Sequence, residues 1–196
     1  MTLAKLYAVI YIAIKKYLGI NIPGLGILLR RVKQPCFIQF LGQDMYFEPR
    51  AASSYGLHVV GAMQEPETHQ FLNQAFDVVH NQPAWFVEVG ANIGAFLLDI
   101  ARRPNVILLG FEPSQPCVNA IEQTMLRNGR GNCRVFPQLV GDTTRLVPFD
   151  IGRSDGSASV LTSTDAVSQI EQTRLDDSAA VMMIPTKSPT ILICAE

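Results

Sequence analysis

Within a chain of 196 residues, one run concentrates the residue types that handle ligands: Phe86-Val87-Glu88-Val89-Gly90-Ala91-Asn92-Ile93-Gly94. Apolar residues lead to a carboxylate, and a Gly-x-x-x-Gly turn then opens a helical pattern. Glycines in such a turn admit backbone angles closed to other residues and let a ligand approach the main chain. The dinucleotide fingerprint Gly-x-Gly-x-x-Gly has a glycine where this chain has Asn92. Glu88 stands just ahead of the turn, where its charge would oppose a pyrophosphate and attract a cation. A glycine turn by itself is common to many doubly wound folds, so Glu88 carries the discrimination.

A second acid ends the next apolar run, Gly110-Phe111-Glu112-Pro113, at eighteen residues beyond Gly94. That is close to the spacing of the strand-end acid that binds ribose hydroxyls in adenosine-binding folds. Two hydroxyls donating to one carboxylate would use both of its oxygens, each bond worth about 1.5–3 kcal/mol. The structural alternative is an acid serving the helix that starts beyond Pro113. With the ammonium and sulfonium favoured at Glu88, these residues point to S-adenosylmethionine rather than a nicotinamide cofactor.

The elements that must hold these acids follow from the surrounding pattern. Trp85–Val89 and Val106–Phe111 read as strands, while Ala95–Arg103 and Gln115–Asn128 have helical spacing, with Asn128-Gly129 as a stop. Strand, turn, helix and strand in alternation imply a parallel sheet with right-handed crossovers. Further strands are expected at Arg134–Val140, Leu146–Ile151, Val181–Ile184 and Thr190–Cys194, and polar loops at Gly152–Ala158 and Thr162–Ser168. Ahead of the core, Cys36–Leu41 and Met45–Glu48 around Gly42-Gln43-Asp44 predict a hairpin, with a further extended piece at Leu57–Val60. A helix follows from Glu65 to His80, with Phe71, Leu72, Ala75, Phe76 and Val79 on one face. The organisation is then 1–34, a helical extension; 35–82, a hairpin and helix leading into the core; and 83–196, the ligand-binding domain.

Composition removes several function classes. Lys and Arg total 16 against 17 for Asp and Glu, a net charge of -1, which offers no electrostatic footprint for nucleic acid. Cys36, Cys117, Cys133 and Cys194 are scattered without a Cys-x-x-Cys pair and read as reduced core residues. His58, His69 and His80 recur every eleven residues, but that helical spacing separates neighbours by roughly 16 Å, so no metal site is expected. The apolar run Leu6–Ile14 is bracketed by Lys5 and Lys15-Lys16 and falls well short of the about 20 residues that span a bilayer. Neither this run nor Ile20–Leu29 reads as a signal peptide or a spanning helix. A helix docked on the domain is one arrangement; a basic helix in peripheral contact with a membrane, using Lys5, Lys15, Lys16, Arg30 and Arg31, is the other. A cytoplasmic protein is the expectation in either case.

The runs Glu88-Val89-Gly90-Ala91-Asn92-Ile93-Gly94, Gly110-Phe111-Glu112-Pro113-Ser114 and Asn128-Gly129 together resemble the FkbM family of methyltransferases, over about Trp85 to Glu196. The resemblance implies a Rossmann-like class I methyltransferase fold, an open parallel α/β sheet, here with an N-terminal helix and a short β extension. It also implies S-adenosylmethionine as cofactor, held by Glu88, Gly90, Ala91, Asn92, Gly94 and Glu112. The implied acceptor is a hydroxyl on a sugar, polyketide, lipid or other secondary metabolite. By the same resemblance Asp142 lies near the adenine, Ser154–Ser159 matches a loop after the fourth domain strand, and Leu175-Asp176-Asp177 precedes the catalytic strand. The family has Ile-Asp-Val-Glu-Gly at that strand's end, whereas this chain has Ile193-Cys194-Ala195-Glu196, with cysteine for aspartate and Glu196 as the one candidate base. The expected sheet is therefore incomplete on its C-terminal side, as in a truncation or fragment, and Ile191-Leu192-Ile193 would form an open edge inviting self-association. A non-catalytic remnant that binds the cofactor is the alternative function, and a nicotinamide oxidoreductase is disfavoured by Glu88 and Asn92.

Overall fold

A computed structural model describes residues 36–48, 54, 57, 65–80, 82–149, 168–178 and 181–194. The first described element is the expected hairpin, β1 (Cys36–Phe40) and β2 (Gln43–Phe47), paired antiparallel from Cys36↔Phe47 to Phe40↔Gln43. Its turn residues are Leu41 (φ 51) and Gly42 (φ 74), both left-handed, the backbone that a two-residue hairpin requires to match strand twist. Helix α1 (Pro66–Val78) starts on Pro66, whose fixed φ suits the first helical position. Its buried positions are His69, Leu72 and Phe76, spaced i, i+3, i+7. Phe71 is not on that face; it is 58% exposed, because a residue one position before Leu72 turns about 100° away from it.

The core is one β-α-β-α-β run: β3 (Ala84–Val89), α2 (Ala95–Ile100), β4 (Val106–Phe111), α3 (Gln115–Arg127) and β5 (Cys133–Phe136). The chain later returns as β9 (Thr190–Cys194) on the other side of β3, so the four-stranded sheet has the order β5-β4-β3-β9 and is parallel throughout. This is the α/β, Rossmann-like open sheet anticipated from the alternation. One face carries the larger core, including Phe86, Leu108, Leu97, Ile121 and Met125; the other carries Val87, Leu109 and Phe111 against Phe136, Val140 and Ile184.

Three elements differ from expectation. Arg134–Val140 is two strands: β5 stops at Phe136, and β6 (Leu139–Gly141) joins a second sheet, because Pro137 has no N–H to continue the ladder. That second sheet, ordered β6-β8-β7, has β7 (Arg145–Phe149) antiparallel to β8 (Ser168–Arg174) and β6 parallel to it. β8 reads as polar, and its central Gln172 is buried by donating to Asp142 Oδ1 and the Thr143 carbonyl, so no apolar alternation marks it. Val181–Ile184 is not a strand: Val181–Met183 form a 3-10 turn with the Val181 and Met182 N–H groups on the Ser178 carbonyl. A short apolar run ahead of a proline does not distinguish the two. The N-terminal extension, most of Leu57–Val60, the loops at 152–158 and 162–167, Ser154–Ser159 and Glu196 lie outside the described residues. Among those described, no helix is long and apolar enough to cross a membrane.

Candidate functional site

The chain moves from β3 to β4 and β5 on one side and returns as β9 on the other, which makes the carboxyl end of β3 a topological switch point. In open α/β sheets, ligands bind in the crevice formed there. The glycine turn occupies that end. It bends over β4 by donating from Gly90 N and Ala91 N to the Phe111 carbonyl, at 2.9 and 3.0 Å. Gly90 (φ 77), Asn92 (φ 50) and Gly94 (φ 79) are all left-handed, and asparagine is among the few side chains that adopt this conformation readily. Position 92 thus reproduces glycine-like geometry without a glycine.

Glu88 is only 4% exposed and lies on the strand face shared with Phe86, beneath α2. It accepts the Leu97 N–H, in the first turn of α2, while its Oε2 is buried with no partner. Burial raises its carboxyl well above the usual carboxylate range; the Leu97 N–H opposes this, and the charges of Glu112 and Glu65 add to it. The sequence suggests a fixed negative charge at the mouth of the turn. Instead, dehydration holds the carboxyl toward its neutral form unless a cation is brought against it.

Glu112 is buried too, at 7% exposure. Its Oε2 accepts the Asn92 N–H and its Oε1 the Ser114 N–H, both at 2.8 Å. Burial raises its carboxyl, and these two main-chain donors draw it back down. The acid therefore clips the glycine turn to the turn that starts α3. Each oxygen retains a lone-pair direction for a hydroxyl.

The structure thus brings Glu88, Gly90, Ala91, Asn92, Gly94 and Glu112 to one sheet end, as the spacing suggested. Asp142 lies on the second sheet, exposed in the turn after β6, accepting from Thr143 Oγ1 at 3.1 Å and Gln172 Nε2 at 3.2 Å. Those two hydrogen bonds hold its carboxyl below the usual range. No described hydrogen bond links it to the glycine turn. Among the described residues no His, Cys, Asp and Glu group suited to a metal occurs.

Two features escaped the pattern reading. Asp99 in α2 ties α1 to the site: its Oδ2 meets His69 Nδ1 at 2.7 Å and Asn73 Nδ2 at 2.9 Å, and Arg102 pairs with its Oδ1. Burial pushes the Asp99 carboxyl up, but His69, Asn73 and Arg102 together outweigh it and hold it low. The His69 ring also packs on Phe96, centroids 4.5 Å apart. The other is Glu65, the N-cap of α1 (φ 51, ψ 58), which the sequence presents only as a helix start. Its one sequence cue is Pro66, which fixes the acid at the helix end.

The buried state of Glu88 has a measurable consequence. With its folded pKa above the unfolded one, Glu88 contributes stability that is complete below the unfolded carboxylate range and is lost as pH rises through the folded value. Glu88→Gln cannot ionise. Its melting temperature relative to the parent should therefore climb between pH 4 and pH 8, and any constant cost of the buried amide cancels in that slope. A difference that stays flat across this range would show that Glu88 has the same pKa folded and unfolded.

No family model and no curated protein matches this chain. Among solved structures, a SAM-dependent methyltransferase from Agrobacterium tumefaciens aligns at 12% identity and TM-score 0.42, covering 54% of this chain and 32% of its own. TYW2 of M. jannaschii, in complex with AdoMet, aligns at 13% identity and TM-score 0.36, over 52% and 42%. The N-terminal domain of EvdMO1 with SAH bound aligns at 19% identity and TM-score 0.37, over 61% and 47%. The chain thus spans less than half the length of each of these structures.

Proposed function

We propose that this chain binds S-adenosylmethionine at the carboxyl end of β3 and belongs to an FkbM-like methyltransferase acting on a hydroxyl of a sugar, polyketide, lipid or related metabolite. One observation carries the reading: a buried carboxyl, Glu88, with an unpartnered oxygen at the switch point of a parallel α/β sheet. A cationic group supplies what that oxygen lacks, whereas a pyrophosphate would add a second acceptor beside it. The residues present fit the cofactor in three further respects. Glu112 keeps acceptor capacity for the ribose hydroxyls; left-handed Gly90, Asn92 and Gly94 form the close-approach turn; and no lysine or arginine side chain pairs with either acid among the described residues.

The bound cofactor would supply an electrophilic methyl group on sulfur for a hydroxyl oxygen. The protein's part is to hold cofactor and acceptor together and to keep water out, with a base where the hydroxyl needs one. Binding without transfer is the second reading, favoured by Cys194 at the end of β9, beside Val89, where the resembled family has an aspartate. A thiol is a weaker hydrogen-bond acceptor than a carboxylate. Thiols rather than disulfides at Cys36, Cys133 and Cys194 suit a reducing cytoplasm.

Titration with S-adenosylmethionine, S-adenosylhomocysteine and NAD tests the ligand class directly. The first two are expected to bind and to stabilise the fold by about 2.7 kcal/mol at a hundred times the dissociation constant. NAD should give no saturable signal. Binding of NAD alone, or of none of the three by folded protein, overturns the reading; labelled methyl transfer to a hydroxyl-acceptor extract separates the enzyme from the binding protein.

A further inference from the structure

The glycine turn and its two acids leave α1 without a role in the site, yet α1 is anchored to it. Its first turn is pinned to α2 by His69, which pairs with Asp99 at 2.7 Å and packs on Phe96 in the first turn of α2. The same first turn of α2 supplies the Leu97 N–H that Glu88 accepts. α1 and α2 run side by side in the same direction, as the successive contacts His69–Asp99, Asn73–Asp99 and Asp77–Arg103 require. Both helices therefore begin at the carboxyl end of the sheet. Glu65, whose carbonyl accepts the His69 N–H at 3.2 Å, is the N-cap of α1 and so stands at that end.

We infer that Glu65 is a further binding residue, which together with Glu88 receives the α-ammonium group of the cofactor. The inference rests on the reading of this site as one for S-adenosylmethionine. Glu88 Oε2 is the buried, unpartnered atom that calls for a cationic donor. Glu112 does not compete for it, since each of its oxygens already takes a main-chain N–H, and the proposed reading gives its remaining acceptor capacity to the ribose hydroxyls. Glu65 is exposed, its carboxylate meets only the Thr68 hydroxyl at 3.4 Å, and it has no ion-pair partner among the described residues. Its charge reaches Glu88, being one of the causes that raise that carboxyl. A carboxylate near a carboxyl that burial holds toward its neutral form becomes a favourable pair around a shared cation, which draws the buried group into its charged form. The ammonium is the group that fits, because a primary ammonium carries three donors and can bond to two carboxylates at once.

The helix-capping work of Glu65 is done by its main-chain carbonyl, which accepts the Thr68 and His69 N–H groups. Glu65→Gln therefore keeps the cap and removes only the charge. Isothermal titration of the whole chain with S-adenosylmethionine, S-adenosylhomocysteine and 5′-methylthioadenosine separates the possibilities, since the last has the nucleoside and sulfur but no ammonium. Glu65→Gln is expected to weaken the first two about tenfold, as for loss of a hydrogen bond to a charged group, and to leave methylthioadenosine unchanged. Glu67→Gln, an exposed acid in the same helical turn, should leave all three unchanged. Equal weakening of all three ligands by Glu65→Gln would make Glu65 structural, weakening of S-adenosylmethionine alone would place it at the sulfonium, and no change would remove it from the site. Any of these overturns the assignment to the ammonium while leaving the ligand class standing. If the parent protein binds none of the three, the reading of the site falls and the assignment with it.

Discussion

Gly94→Ala is expected to cost about 2–4 kcal/mol of folding stability, a large share of the roughly 5–15 kcal/mol that holds a domain together. A Cβ at this position would stand 2.8 Å from Ile121 Cγ1 and 3.3 Å from Cγ2, and Ile121 is fully buried in α3. It would also hold an L side chain at φ +79, itself worth about 1–2 kcal/mol. Gly129→Ala isolates the two costs, for Gly129 has φ +65 and nothing within 4 Å of where its Cβ would stand. Urea unfolding of both variants should show the Gly94 loss exceeding the Gly129 loss by about 1–3 kcal/mol, the range for overpacking a core. Equal losses would mean that α3 yields freely and that the turn tolerates a larger residue at its helix end.

Glu112→Ala is expected to lower stability by about 2–4 kcal/mol even without ligand, because it strands the Asn92 and Ser114 N–H groups that its two oxygens accept. If the acid serves a ribose alone, the free protein should be insensitive to its loss. The two roles separate in measurement: the unfolding midpoint without ligand reads the clip, and the dissociation constant of S-adenosylhomocysteine, measured where the variant is folded, reads the ribose. Glu112→Gln should fall between Ala and the parent on both scales, since it keeps one acceptor oxygen. An unchanged midpoint with Ala would refute the clip, and an unchanged dissociation constant with both variants would refute the ribose role.

The contrast at Glu112 marks how far the amino-acid order could be read. The alternation from β3 to β5 was legible because each element is short, apolar and closed by a turn signal, and the ends came out within a few residues of expectation. The meeting of Glu88 and Glu112 was legible for the same reason: adjacent parallel strands in register, with Glu88 opposite Gly110, necessarily bring their ends together. What the acids do in the free protein was not legible. Their protonation and partners depend on how α2 seats on the sheet, where Leu97 packs so closely over Gly110 that a Cβ there would stand 2.7 Å from Leu97 Cδ1. β8 stayed hidden because a strand whose buried position is filled by Gln172 carries no apolar period. Asp142, which the resemblance places near the adenine, sits in the turn after β6, where only its partners Thr143 and Gln172 mark it.

The hairpin carries a consequence for the order in which this chain folds. The Tyr46 N–H meets the Thr124 hydroxyl and the Asp44 N–H meets the Asn128 side chain, across 78 and 84 residues of sequence. Both acceptors belong to α3, so these two hydrogen bonds form only once α3 has closed on the sheet, whereas Phe40 against the His69 ring and Gln43 on the Leu98 carbonyl need only α1 and α2. Joining ends so far apart also carries a loop-closure entropy, and such long-range contacts slow folding. A segment that leaves the ribosome ahead of the core thus completes its docking only after α3 is in place. During synthesis the Tyr46 and Asp44 N–H groups must wait for their partners until α3 has followed the hairpin out.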